Sequence, residues 1–125
     1  MEGKSAAFPS LPADAPAVFR ATVHGLAFAD RSRHLDRVDT GARLLLIPDP
    51  PGARLEQVWV HLPGEDPDPV GHLPDEIGRW LAPWMRDGGR ARARALRVGD
   101  EEIPSWKRLL VEVTCEGDAP RGRRG

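Results

Sequence analysis

The stretch of residues 70–88 constrains the fold more than any other part of the sequence, because it predicts a helix directly after a short strand. Pro74 suits the first helical position, where a backbone N–H would have no acceptor. Apolar side chains then recur every three or four residues, which places them on one helix face. They are Ile77, Trp80, Leu81, Trp84 and Met85. We predict one helix over about residues 74–87, kinked or restarted at Pro83, with Trp80 and Leu81 in the core.

The remaining chain predicts short strands between clusters of proline, glycine and aspartate. In residues 56–62, Val58 and Val60 alternate with Trp59 and His61, as in a strand with one buried face. Similar stretches give about six strands in total, at residues 17–24, 43–47, 56–62, 70–73, 90–98 and 106–115. We predict a mainly β fold, a small antiparallel OB-like or SH3-like barrel closed by the one helix.

Length and charge limit the class of protein. The 125 residues suffice for one domain with a modest core. With 18 Lys and Arg against 19 Asp and Glu, the formal charge is −1, so bulk charge indicates neither a nucleic-acid nor a membrane partner. No apolar run approaches the roughly 18 residues of a membrane span, and no signal peptide is recognisable. We expect a cytoplasmic protein with a flexible segment at residues 1–16, a barrel domain at 17–116 and a flexible basic tail at 117–125.

Trp59 and His61 are candidates for ligand binding, because they face away from the side of their strand that carries the valines. An outward tryptophan on a barrel strand can stack on a nucleic-acid base. The alternative is that the helix or a terminal segment covers it, since large aromatic side chains are usually mostly buried.

Three arginines share one face of the strand at residues 90–98, namely Arg90, Arg92 and Arg94. Such a row can contact the phosphates of a nucleic-acid backbone. The alternative is a solvent-exposed face whose arginines pair with nearby carboxylates.

The sequence offers little for catalysis or metal binding. Cys115 is the single cysteine, so neither a disulfide nor a zinc-binding cysteine pair is available. The four histidines lack the spacing of a metal site. No paired carboxylates and no Ser/His/Asp arrangement indicate hydrolysis. We therefore expect no metal, no cofactor and no enzymatic activity.

Several of these segments resemble the HIRAN domain, which occurs in helicase-like DNA-repair remodellers and, in bacteria, alone or beside nucleases. The similar parts are Val-His-Gly-Leu-Ala-Phe at residues 23–28, Gly41 before an apolar strand, and Val-Gly-His-Leu-Pro at residues 70–74 with the helix that follows. The resemblance covers roughly residues 17–115 and implies an OB-like barrel that captures the 3′-hydroxyl end of single-stranded DNA. It also implies that Phe28 and Trp106 stack on bases and that His72 lies in the pocket.

The chain departs from the family in the motif that contacts the terminal nucleotide. Where the family has Asn-Pro-Tyr-Asp-x-Asn-Ala, residues 51–57 read Pro-Gly-Ala-Arg-Leu-Glu-Gln, so Ala53 replaces the tyrosine and Arg54 the aspartate. Ala27 replaces the arginine that precedes the first aromatic. Each lost hydrogen bond removes about 1–3 kcal/mol of discrimination. We therefore expect weak end recognition, with Arg54 supplying charge instead.

Two classes of function follow. The first is a non-catalytic nucleic-acid-binding module for single-stranded DNA or DNA ends, accessory to DNA repair or processing, with a helicase or nuclease supplied in trans. The alternative is a protein-interaction or structural module that has lost the family's 3′-end pocket. The charged and aromatic candidates favour the first class, and the altered residues 51–57 favour the second.

Overall fold

The structure is a computed structural model that describes residues 10–26, 35–54, 56–64, 68–100 and 102–116. Within these residues, six antiparallel strands curl into a half-barrel that one α-helix accompanies. The prediction of a small, mainly β, barrel-like fold with one helix is therefore confirmed. In the part of the chain that is described, no helix is long and apolar enough to span a membrane.

The strands are short, and every neighbouring pair runs antiparallel. Their bounds are β1 Val18–Thr22, β2 Arg43–Pro48, β3 Val58–His61, β4 Gly71–His72, β5 Arg90–Val98 and β6 Leu109–Glu116. They lie in the order β1-β6-β5-β2-β3-β4, so β1 and β4 form the two edges of the sheet.

One backbone contact, which we call the seam, joins these two edges. His24 lies just beyond the end of β1, and its N–H donates to the carbonyl oxygen of His72 in β4 at 2.8 Å. The N–H of His72 donates back to the carbonyl oxygen of His24 at 2.9 Å. Exposed strand edges present unpaired backbone groups, and the seam satisfies those of β4 on its open side.

Alternation along the strands separates an apolar interior from a polar exterior. In β6, Leu109, Val111 and Val113 are fully buried, whereas the residues between them are half-buried. In β3, Val58 and Val60 are likewise fully buried. The core therefore lies inside the curl of the sheet, and the intervening side chains form its outer face.

The helix, α1, spans Asp75–Arg86 and passes through Pro83 as a single element. Pro74 is its N-cap and not its first helical residue, so the helix begins one residue later than predicted. Leu81 is fully buried, as expected from the apolar stripe. Trp80 is only half-buried, because it lies at the margin of the core with its ring edge-on to Phe19 at a centroid distance of 5.8 Å.

The described part of the N-terminal segment packs on the domain. Leu11 is 4% exposed and belongs to the core, although its flanking prolines had indicated a flexible segment over residues 1–16. The Ala15 N–H donates to the Pro12 carbonyl oxygen at 3.0 Å and forms a turn. Residues 1–9 and the expected basic tail at 117–125 lie outside the described residues.

The burial of Leu81 predicts a large stability effect for its truncation. Leu81→Ala should lower the free energy of unfolding by about 2–5 kcal/mol, since it leaves a cavity against the sheet. Arg79→Ala, on the exposed side of the same helix, is the matched control and should change it by no more than about 0.5 kcal/mol. Urea denaturation measures both values, and equal midpoints would show that the wrong helix face has been placed inside.

The seam predicts a second, localised effect. A methyl group at Gly71 would overlap the His24 carbonyl oxygen and the Val23 side chain, so Gly71→Ala should cost at least about 1–3 kcal/mol. Amide hydrogen exchange should show protection lost first at His24 and His72. Gly64→Ala is the control for a general loss of stability, because an alanine is strained at its φ of 129° although the added methyl group meets no atom within 4 Å, and it should leave the relative protection of His24 and His72 unchanged. Unchanged protection at His24 in Gly71→Ala would contradict the seam.

Candidate nucleic-acid interface

Trp59 and His72, two of the residues selected from the sequence, lie side by side on the outer face near the seam. They are register partners on β3 and β4, with ring centroids 5.4 Å apart in an edge-on arrangement. His24 completes the group at a centroid distance of 6.1 Å from His72. All three side chains are half-buried, so each keeps part of its surface at the solvent. We call these three residues the aromatic cluster.

Sequence reasoning missed His24 as a member of this cluster. Its position on the polar side of the Val23 strand pattern was a usable signal for an outward side chain. Its proximity to His72 was not predictable, because the seam joins two distant segments of the chain.

Hydrogen bonds fix the orientation of two of these rings. The Nδ1 atom of His72 lies 2.8 Å from the carbonyl oxygen of Leu73. A carbonyl oxygen only accepts, so Nδ1 carries the hydrogen and Nε2 of the neutral ring is an acceptor. The indole N–H of Trp59 donates to Oδ1 of Asp49 at 2.8 Å. The aromatic cluster is therefore held in a defined geometry.

Exposed aliphatic side chains adjoin the cluster on β2. Ile47 pairs in register with Trp59, and Leu45 pairs with His61. Leu45 is 41% exposed and Ile47 45% exposed, which places a short apolar surface beside Trp59 and the half-buried His61. A continuous apolar run such as residues 43–47 is typical of a strand in the middle of a sheet. The β2 strand is central there, but one of its faces is open to solvent.

Positive charge is concentrated on the same outer face. The neighbouring strands β1, β6, β5 and β2 contain six arginines and two glutamates, all exposed or half-buried. They are Arg20, Arg43, Arg90, Arg92, Arg94 and Arg97, with Glu112 and Glu116. This excess stands out in a chain whose formal charge is −1, and it creates a local positive field.

Two of the three arginines predicted as a phosphate-contacting row pair with carboxylates of β6. Arg92 lies 2.7 Å from Glu116, and Arg94 lies 3.1 Å from Glu112. Arg90 is opposite Glu116 in the strand register. The pairing that we had named as an alternative is therefore present. These arginine side chains are 61% and 57% exposed and their glutamate partners 30% and 21%, so each pair remains in contact with water and contributes about 1 kcal/mol or less.

Arg54 lies apart from the aromatic cluster. It lines an open depression of about 210 Å³ together with Ala53, Glu56, Asp75 and Arg79, at the beginning of α1. Arg86 anchors this region, with a 3.0 Å ion pair to Glu56 and a 3.0 Å hydrogen bond to the carbonyl oxygen of Asp49. The mixed charge gives this depression no preference for a polyanion.

Trp106 is the most exposed of the selected aromatics that the structure describes, at 56%. It lies in a single 3-10 turn, Ser105–Lys107, rather than at the start of the last strand as predicted. The guanidinium of Arg108 braces the loop by donating to the carbonyl oxygen of Ile103 at 2.8 and 3.1 Å. Phe28, the remaining selected aromatic, lies outside the described residues.

Comparisons with protein-family models, curated proteins and solved structures gave no match. The resemblance to the HIRAN domain therefore stays a prediction from the sequence. Within the described ranges, no three His, Cys, Asp or Glu side chains are grouped so as to hold a metal ion.

Burial raises the pKa of the Cys115 thiol from 9.0 to about 11. At pH 8 its thiolate fraction should then be about 100-fold lower than in the unfolded chain, so the folded protein should react correspondingly slowly with a thiol reagent. Because the unfolded thiol ionises first, stability from this residue should be present below pH 9 and lost as the pH rises towards 11. Thermal unfolding of the parent and Cys115→Ala over this range tests the sign, and fast labelling of the folded protein would contradict it.

Proposed function

We propose that this protein is a non-catalytic module that binds single-stranded nucleic acid through the outer face of its sheet. The observation that carries the proposal is the excess of arginine on β1, β6, β5 and β2, beside the exposed aliphatic side chains of β2 and the aromatic cluster. Charge and apolar surface on neighbouring strands suit a ligand that carries both phosphates and bases.

The two parts of the face would have different roles. Arginine contacts phosphate oxygens through several N–H groups at once, and such contacts supply affinity without sequence preference. Bases would pack against Leu45, Ile47 and the exposed part of Trp59, as on other OB-like sheets where strands 2 and 3 contact an oligonucleotide. Trp106, exposed on its braced loop, offers a further stacking surface.

Capture of a DNA 3′ end receives less support than binding along the strand. The segment that matches the family's end-reading motif is tied to α1 through Arg86 and through a 3.1 Å hydrogen bond from Gln57 to Asp75. Its Arg54 lines a depression that the aromatic cluster does not share. Strand binding by a HIRAN-like domain, with a helicase or nuclease acting in trans during DNA repair, is the role that we propose.

A protein-interaction module is the second candidate. Trp106 and Ile103 expose large apolar side chains on a loop that Arg108 holds in place. Tryptophan is enriched among the residues that dominate protein interfaces. This reading needs no contribution from the arginine face.

Fluorescence titration of labelled oligonucleotides tests the choice. We expect a dissociation constant of roughly 10⁻⁴–10⁻⁶ M that weakens steeply between 50 and 200 mM salt, as for non-specific phosphate binding. A 3′-hydroxyl should be preferred over a 3′-phosphate by less than about tenfold, which corresponds to 1.4 kcal/mol. Trp59→Ala should weaken binding with little change in salt dependence, because stacking releases no counterions.

Binding of the oligonucleotide by the parent separates the two candidates, because an interaction module would show none even at low salt. In a nucleic-acid module, Trp106→Ala should lose part of that affinity. A strong preference for the 3′-hydroxyl would instead indicate that Arg54 and His72 form an end-reading pocket.

A further inference from the structure

Arg43 and Arg94 lie directly opposite each other on β2 and β5. Like charges at such cross-strand positions destabilise a sheet. Among the described residues, no carboxylate lies within ion-pair distance of Arg43, and the carboxylate nearest in the row, Glu112, is paired with Arg94. These two neighbouring arginines therefore have one carboxylate partner in total, which is Glu112 on Arg94.

The pair borders a shallow basin on the outer face. Its volume is about 280 Å³, and its lining residues are Gly41, Arg43, Arg92, Ala93, Arg94, Glu112 and Thr114. Three guanidinium groups and one hydroxyl supply hydrogen-bond donors there, and Gly41 leaves one side open. The basin is several times larger than the roughly 30 Å³ that a water molecule occupies.

Glu112 holds Arg94 in one orientation and leaves part of its hydrogen-bonding capacity available. Nε and Nη2 of Arg94 both approach Oε1 of Glu112, each at 3.1 Å. A guanidinium carries five N–H groups in one plane, so three N–H groups of Arg94 do not point at this carboxylate. Fixing a flexible arginine in advance lowers the entropy cost of binding an anion.

We propose that this basin clamps a phosphodiester of a nucleic-acid strand between Arg43 and Arg94. This proposal rests on the proposed function and adds to it a specific binding site and a direction for the bound nucleic acid. Arg43 is two residues before Leu45 on β2, and Leu45 pairs with His61 on β3. The bound nucleic-acid strand then crosses the sheet from β5 over β2 towards β3. The base attached to the clamped phosphate lies over Leu45 and His61.

This direction differs from the one expected from Arg90, Arg92 and Arg94, which would follow β5. Along β5, the carboxylate of Glu116 lies 2.7 Å from Arg92 and opposite Arg90, where it repels a phosphate. Across the sheet, the step from Arg94 to Arg43 meets no second carboxylate among the described strand residues.

Two double variants test the clamp against a diffuse positive field. Arg43→Gln with Arg94→Gln removes two charges at the basin, whereas Arg90→Gln with Arg97→Gln removes two charges from the same sheet but outside the basin. Labelled oligothymidylate is titrated with both and with the parent at 50 mM salt, after circular dichroism has established that each is folded. We expect at least a tenfold loss for the first variant and less than a threefold loss for the second.

A second measurement does not need an oligonucleotide: in a buffer without phosphate or sulfate, Arg43→Gln alone should raise the melting temperature, because it relieves the like-charge pair. Added inorganic phosphate should then stabilise the parent more than this variant, because it binds between the two arginines. Equal losses of affinity in the two double variants, with the parent binding, would overturn the clamp and leave the proposed function standing. Failure of the parent to bind oligothymidylate would overturn both the proposed function and the clamp.

Discussion

The two backbone hydrogen bonds between His24 and His72 are the contact on which the rest of the structure depends. β4 has only two residues and pairs with β3 on one side, so alone it would be a short, open edge. The seam gives it a partner on its other side and holds it where Pro74 can begin the helix directly afterwards. Gly71 makes this approach possible, because any side chain there would overlap the His24 carbonyl. The same two hydrogen bonds bring His24 to His72, which already pairs with Trp59 on β3, so the contact that joins the sheet edges also completes the aromatic cluster.

The curvature of the sheet places charged side chains on its outer face and small apolar side chains inside. A curled sheet has one inside, and the alternating arginines and alanines of β5 place Ala93 and Ala95 there, almost fully buried. The arginines must then share the outer face with the outward residues of β6, which are glutamates at two positions opposite them. The ion pairs of Arg92 with Glu116 and of Arg94 with Glu112 follow from this register.

Period-two alternation and one helical stripe sufficed to predict the six strands, the helix and the class of fold, because these signals are local. The contacts that shape the candidate interface are not local. Nothing in the sequence pairs His24 with His72, and the apolar run of β2 does not reveal that Leu45 and Ile47 face solvent. The burial of Leu11 also depends on a non-local contact: the prolines around it indicated flexibility, whereas its side chain packs in the core of the domain. Trp106 was assigned to the last strand, although it lies in the 3-10 turn before that strand, since a single 3-10 turn leaves no periodic signal.

Several features that local rules disfavour lie in one region of the sheet. Arg43 faces Arg94 across neighbouring strands, and Leu45 and Ile47 expose aliphatic surface beside them. Each is unfavourable for the isolated domain, by electrostatic repulsion in the first case and by exposed apolar area in the others. Other exposed apolar side chains, such as Val18 and Trp106, lie elsewhere on the molecule, but here two of them adjoin a like-charge pair, a combination expected of features retained for a ligand. A nucleic-acid strand would offset both costs at once, because its phosphates neutralise the arginines and its bases cover the aliphatic side chains.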